Sequence, residues 1–382
     1  ILPFEVIQLS IEIREVRSAK ELNAFIRFPH TLYRGHPCWV PLLSMDERNT
    51  FRQDKNPAFE HCQARYWLAY RDGKIVGRIA GILNNRHIEK WNQNYLRFSW
   101  IDFVDDLEVS KALLETVEAW GREIGLTAVH GPLGFTDMDR EGMLVEGFDE
   151  MGTMATFYNH PYYPVHLQQH GYIKDIDWVE YEITIPPEPI EEISRMAEVV
   201  LRRNNLHVFQ PRNKRELLGY AQSLFELLNA EYAHLYGTVM LNQRQIEAYT
   251  KEYFSFVSPD LLPIVLDAQN QMVAFGIAMP SLSRALQKAR GRLLPFGIIH
   301  LLWALSHNQR ADLYLVAIKR EYQGKGVNAV LMSQIHKAFI ARGIQKAESN
   351  PELENNLRVQ TQWKYYETRQ HKRRRIFIKQ LN

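Results

Sequence analysis

Six residues late in the chain, Gln323-Gly324-Lys325-Gly326-Val327-Asn328, join an apolar run ending at Ile318 to a helical pattern carrying Val330, Leu331, Ile335 and Ala338. A strand, a glycine-bearing turn and a helix N-terminus together make an anion site from backbone alone. The first turn of a helix leaves its N–H groups unpaired, and the aligned peptide dipoles favour negative charge there. Glycine lets a diphosphate come close without meeting a side chain, and Lys325 adds a mobile positive charge. The same residues also suit an ordinary solvated turn. The pattern lacks the Gly-Lys-Ser/Thr ending of a Walker loop and comes too late in the chain for a Rossmann start.

Stepwise patterning supplies the elements around this loop. In the first half, helical spacing covers 19–34 and an irregular segment 35–62. Tyr66–Tyr70 and Ile75–Leu83 flank an Asp72-Gly73 hairpin turn. A strand follows at 98–104, a helix at 106–124 closed by Gly125, a strand at 127–131, a long loop, a short helix at 162–170 and a strand at 176–185. Pro186-Pro187-Glu188-Pro189 then excludes helix and central strand alike. After it the order repeats: helices at 190–204, 214–229 and 242–254, strands at 206–210, 262–267 and 272–279 around Asn270-Gln271, an insertion, then strand 312–318, helix 328–342, strand 345–349, helix 354–368 and strand 374–379. This predicts an α/β fold with a mixed sheet in two tandem copies, residues 1–186 and 187–382. A length of 382 residues suits two domains.

The copies differ at the junction that matters. The first has Val104-Asp105-Asp106-Leu107-Glu108, acidic and without glycine, and carboxylates repel a diphosphate. An anion site is therefore expected in the second copy alone, with the first shaping a groove or bracing its neighbour.

Composition narrows the partners. A net charge of +2 gives no basic excess of the kind that binds nucleic acid. Cys38 and Cys62 allow at most one bridge and suit a reducing, cytoplasmic setting. No basic segment followed by a long apolar one marks a signal peptide near Glu5 and Glu12. The apolar stretch Leu293–Leu305 is broken by Pro295 and His300 and is too short to span a bilayer of ~30 Å. No histidine or cysteine spacing suggests a metal. His371-Lys372-Arg373-Arg374-Arg375 reads as a charged loop or edge protection, with lipid headgroup contact as a second option.

The phosphate loop and its setting resemble the GNAT superfamily of N-acyltransferases, whose pattern is Gln/Arg-x-x-Gly-x-Gly/Ala between the fourth strand and third helix. Gln323 and Gly326 fit; Asn328 departs where a small residue normally sits. The resemblance implies two tandem splayed sheets flanked by helices and acyl-CoA as co-substrate. It implies a diphosphate cradle at Gln323, Gly324, Lys325, Gly326, Val327 and Asn328, and a pantetheine arm lying along Val316, Ala317 and Ile318 as an added strand. Asn355-Asn356 and Tyr365-Tyr366 are similar to the later helix of the superfamily, whose tyrosine often protonates the departing thiolate; core or surface aromatics are the alternative.

Transfer of an acyl group to an amine needs a neutral amine, a polarised thioester carbonyl and a proton for the thiol. Glu348 is the candidate base, or a partner for Arg320; Tyr314 and His300 come next, and a water relay would make no single residue essential. The polar segments Phe135–Glu141 and Asn159–Tyr163 offer an acceptor wall with Asp137, Asn159 and Tyr162, or a brace between the copies.

Four segments, including His36-Pro37-Cys38-Trp39-Val40-Pro41 and Gly142-Met143-Leu144-Val145-Glu146-Gly147-Phe148-Asp149, resemble one bacterial subfamily of double-GNAT proteins, to which bacterial ceramide synthases are similar. That implies N-acylation of a primary amine, small molecule or lipid, with an acyl carrier protein as an alternative donor. The insertion, with Arg284, Lys288, Arg290 and Arg292 before its apolar stretch, suits peripheral contact with a membrane, an acyl tunnel, or a core helix with a basic flank. A non-catalytic protein that binds CoA or a lipid is the rival from another class.

Overall fold

A computed structural model describes residues 10–254 and 256–382; residues 1–9, which bear on the signal-peptide reading, lie outside the described residues. The first half contributes strands β1 (Glu12–Glu15), β2 (Cys62–Arg71), β3 (Lys74–Asn84), β4 (Tyr95–Phe103), β5 (Ala128–Gly131), β6 (Met143–Glu146) and β7 (Ile173–Thr184). The second contributes β8 (His207–Phe209), β9 (Ile264–Leu266), β10 (Met272–Pro280), β11 (Arg310–Ile318), β12 (Lys346–Glu348), β13 (Glu352–Leu353) and β14 (Thr368–Gln380).

Local chemistry accounts for the turns. Asp72 (φ 53°) and Gly73 (φ 71°) both take left-handed geometry between β2 and β3, as a two-residue hairpin turn requires. The helix Leu107–Glu123 buries Val109, Leu113, Leu114, Val117 and Trp120 on one face. The helix Val327–Arg342 buries Val327, Val330, Leu331, Ile335 and Phe339, and ends at Gly343 with φ 69°.

The expected mixed sheet is present, and it is continuous. Its order is β1-β2-β3-β4-β5-β14-β7-β12-β11-β10-β9-β8. The two halves exchange their last strands. β7, from the first half, pairs with β12 (Thr184 opposite Lys346), while β14, the chain's last strand, pairs with β5 (Phe377 opposite Gly131). β7 and β14 run antiparallel to each other from Ile183–Thr368 to Ile173–Ile378.

Three expectations need correction. The helix expected over 354–368 is a single α-turn, Leu357–Gln360, followed by a 3-10 turn, Thr361–Tyr365. The buried Trp363 indole donates to Glu352 Oε1 at 2.9 Å and holds the chain close to β13. The helix expected over 214–229 is interrupted at Tyr220, which separates Lys214–Gly219 from Ala221–Tyr232. His371–Arg375 is neither a loop nor an edge: it lies within β14 and is paired to β7 on one side and partly to β6 on the other. Lys372 and Arg374 are buried there because carboxylates of neighbouring strands meet them. No helix among the described residues is long and apolar enough to cross a membrane.

Candidate active site

β11 is a strand with one open edge. It pairs in parallel with β12 only from Arg310 to Asp312, and runs on to Ile318 without a strand on that side. Its other edge stays on β10, with a bulge that leaves Tyr314 as the extra residue between Leu313 (opposite Ala278) and Leu315 (opposite Ile277). Gly276 gives its N–H to Pro263 O at 3.2 Å, away from β11. Gly276 and Val316 are therefore a non-hydrogen-bonded pair, and Val316 turns its own N–H and C=O to the open edge. Side chains reach three carbonyls along β11: Asn350 donates to Tyr314 O at 2.8 Å, Tyr232 to Val316 O at 3.0 Å, and Gln323 to Ile318 O at 2.9 Å. What this edge still offers an extended ligand is amide N–H.

The loop after β11 begins with a 3-10 turn, Arg320–Tyr322. Gln323 Nε2 binds Glu231 Oε2 at 2.8 Å as well as Ile318 O, and Glu231 Oε1 accepts from Arg320 N at 2.9 Å. Gln323 thus braces the loop against its strand. Gly324 (φ 73°) and Gly326 (φ 82°) take left-handed geometry. Gly326 occupies the N-cap position of Val327–Arg342, and among the described residues no side chain caps that helix. A Cβ at 326 would lie 2.9 Å from Val200 Cγ2, on the helix Glu191–Arg203 packed behind the loop. Lys325 is exposed, with its ammonium 5.4 Å from the Tyr322 ring. Asn328 is half-buried in the first turn.

The same junction in the first half is closed. Asp106 caps Leu107–Glu123 by accepting from Glu108 N at 2.9 Å, and is itself ion-paired with Arg71. β4 also parts from β5 after Arg97 and bulges before Asp102, so this copy retains the opening. Trp100, Met143, Phe157, Tyr158 and Tyr163 line a small cavity there.

Buried charges gather where β11 and β12 part. Lys372, on the exchanged β14, is ion-paired with Glu348 and lies 3.3 Å from Glu180, which also holds Arg374. Burial opposes the charge on Glu180, but Arg374, Lys372 and His371 outweigh it and hold the carboxyl down at about 2. Asp312, opposite Glu348, has no such cation bound. Burial first, and then the charge of Glu348, push its carboxyl up to about 7. The Tyr314 hydroxyl donates to Asp312 Oδ2 at 3.4 Å, and burial with that neighbouring charge raises the phenol well above its usual range. Glu180, Glu348 and His371 are close enough to hold a metal ion, but Lys372 and Arg374 already supply the positive charge to the two carboxylates. Asp312 was not singled out from the sequence. Its signal was there: the one acid in the apolar strand Ala311–Ile318.

The other expected residues scatter. Glu348 reaches the splay with its carboxylate engaged by Lys372 and with His371 Nε2 at 3.5 Å. Tyr366 is buried among Trp363, Phe339 and Ile185, and its hydroxyl donates to His336 Nδ1 at 3.5 Å; His336 Nε2 donates to Pro186 O at 3.0 Å. Tyr365 is half-buried with the Lys364 ammonium 4.7 Å from its ring. Asn159 spends its amide on Leu144 N and O (2.7 and 3.0 Å), and Tyr162 donates to Phe103 O at 2.7 Å, so both serve the first half. His300 is carried half-buried on the helix Gly297–Ser306.

Asp137 does reach the second half, accepting from Val239 N at 3.0 Å; its neighbour Thr136 shares a hydrogen bond of 2.7 Å with Tyr249. Nearby, burial and the charges of Asp46 and Asp139 push Glu252 up to about 7. Burial likewise pushes Asp139 up to about 6, against the amides of Thr136 and Phe135. Tyr253 feels Glu252, Asp139 and Asp46, and Tyr314 feels Tyr253. Acidic groups from both halves, Asp46, Asp139 and Glu252, thus act on one another and on Tyr253.

This geometry has counterparts. A tandem GNAT protein from the clavulanic acid biosynthesis pathway superposes with a TM-score of 0.55 at 10% identity, over 98% of this chain and 99% of that one. The chain has the tandem GNAT fold. Among curated proteins, Protein YghO of Escherichia coli (strain K12) is 28% identical over 380 residues, 97% of this chain and 95% of that protein. Bacterial ceramide synthase of Caulobacter vibrioides (strain NA1000 / CB15N) is 24% identical over 331 residues, 84% of each. No family model matches the chain.

Proposed function

We propose that the chain is an acyl-CoA-dependent N-acyltransferase that works in its C-terminal copy. The observation that carries this is the contrast between the two helix N-termini. One is closed by Asp106 and Arg71; the other is left uncapped behind Gly326, at the end of an open strand edge. The backbone of Gly324–Asn328, with Lys325, holds the diphosphate. The Val316 N–H on the open edge binds the pantetheine arm.

Asp312 is the base in this scheme. Its carboxylate accepts a proton from the acceptor ammonium, directly or through one water, and the freed amine attacks the thioester carbonyl. As the C–S bond breaks, the departing thiolate takes a proton from the Asp312 carboxyl, and the regenerated carboxylate removes the extra proton from the new amide nitrogen and passes it to water. A base near pH 7 suits this exchange. The acidic path through Asp139 and Glu252 favours a cationic acceptor. We infer a long-chain lipid amine, a reading supported by the ceramide synthase relative and by the exposed apolar side chains of the insertion that leads into β11. Glu348 serves as a positioning charge for Lys372.

Thiol release from acyl-CoA donors of increasing chain length, measured with and without a sphingoid-type amine, tests both levels. Amine-dependent release that grows with donor length supports the full reading. Release with small amines alone removes the lipid acceptor, and CoA binding without turnover on any amine removes the enzyme.

A further inference from the structure

The insertion between β10 and β11 places an apolar face where none of the described residues covers it. The helix Gly297–Ser306 packs inward through Gly297, Leu301 and Ala304. Ile298, Ile299, Leu302 and Trp303 point outward, joined by Leu294 and Phe296 from the preceding turn, and these six are 42 to 77% exposed. Scattered exposed leucines are ordinary; six large apolar side chains within ten residues are a patch that asks for a partner.

Charge identifies the partner. From Ser281 to Ala311 the chain has no Asp or Glu, while Arg284, Lys288, Arg290 and Arg292 are all exposed and none forms a described ion pair. This local excess stands out against a whole-chain charge of only +2. The insertion is also held firmly from behind. Gln287 Nε2 donates to Pro37 O and Trp39 O at 2.8 and 2.9 Å, and Ser44 N donates to Gly291 O at 2.9 Å. A rigidly backed apolar face with tryptophan and a cationic border has the make-up of a helix that lies in a bilayer interface.

We propose that this face docks the protein on an anionic lipid bilayer, with Trp303, Ile299, Leu302, Phe296 and Leu294 entering the headgroup–acyl boundary and the four cations meeting lipid phosphates. Leu293 and Leu305, at the ends of the same segment, pack against the same apolar core as Tyr314 and Leu315 of β11. Docking is independent of the enzymatic reading: a protein that binds vesicles and turns over no substrate would still satisfy it.

The test is co-sedimentation of the full chain with phosphatidylcholine vesicles, with and without one-third phosphatidylglycerol. The wild type is expected to pellet with the anionic vesicles at low ionic strength and to be released by salt. Ile299→Glu with Trp303→Glu should lower the bound fraction about tenfold or more, and Arg284→Glu with Lys288→Glu by a similar factor, with the melting temperature unchanged. Both pairs are exposed, so folding is expected to survive. No binding to anionic vesicles at low salt overturns the proposal, as does equal binding by the apolar variant. A stable dimer that Ile299→Glu with Trp303→Glu splits into monomers would assign the patch to a second copy instead, and would also overturn it.

Discussion

Asp312 and Glu348 face each other at the last paired position of β11 and β12, but their surroundings differ. Lys372 takes the charge of Glu348, whereas Asp312 is left with a buried carboxyl near 7 and a tyrosine hydroxyl beside it. Asp312→Asn should therefore lower kcat by about a hundredfold or more, while the KM for acyl-CoA changes little. Wild-type activity should rise as pH passes about 7, when the carboxylate forms, and the variant should lose that step. Stability moves the other way. The folded pKa is raised above the ordinary value of about 4, so the contribution of Asp312 is present below that value and is lost as pH rises through about 7. In thermal melts above pH 7 the variant should be at least as stable as the wild type; a large loss of stability there would mark Asp312 as structural.

At the scale of elements, the strand-loop-helix around Gly326 explains why glycine is required at one position more than at its neighbour. Gly324 and Gly326 share positive φ, but a Cβ at 324 meets nothing, and at 326 it meets Val200. Gly326→Ala should shift the helix start and raise the KM for acyl-CoA about tenfold or more, with Gly324→Ala closer to wild type; steady-state kinetics with varied donor distinguishes them. Most elements were legible in the sequence because amphipathic periods and turn residues such as Asp72-Gly73 act locally. The segment 354–368 was not. Its apolar residues fit a helix, but Trp363 is spent on a bond to Glu352 of β13, which the helical period does not reveal. Asp312 was passed over for a related reason. A lone acid in an apolar strand has no local pattern, and its raised pKa depends on burial and on Glu348, which follows much later in the sequence.

For the whole molecule, the exchange of β7 and β14 joins the halves through the middle of one sheet. Repetition of elements was readable from the sequence, but the partner of a final strand was not, because β7 and β14 end equivalent copies and either sheet offers a similar edge. The exchange also explains why the His371–Arg375 run looked like surface: its charges are satisfied only when Glu180, Glu348 and Asp177 arrive from other strands. Neither half completes its own sheet, so calorimetry of the full chain should show a single cooperative transition, and residues 1–186 expressed alone should lack one. Two separate transitions would mean that the shared strands couple the halves only weakly.

Of the two helix N-termini, the one behind Gly326 is proposed to take the donor. A crystal structure with coenzyme A bound tests it most directly. The diphosphate is expected on the amides of Gly324–Asn328, with the pantetheine arm along Val316–Ile318. A diphosphate at residues 104–108, or a CoA that leaves the 323–328 loop untouched, would contradict it.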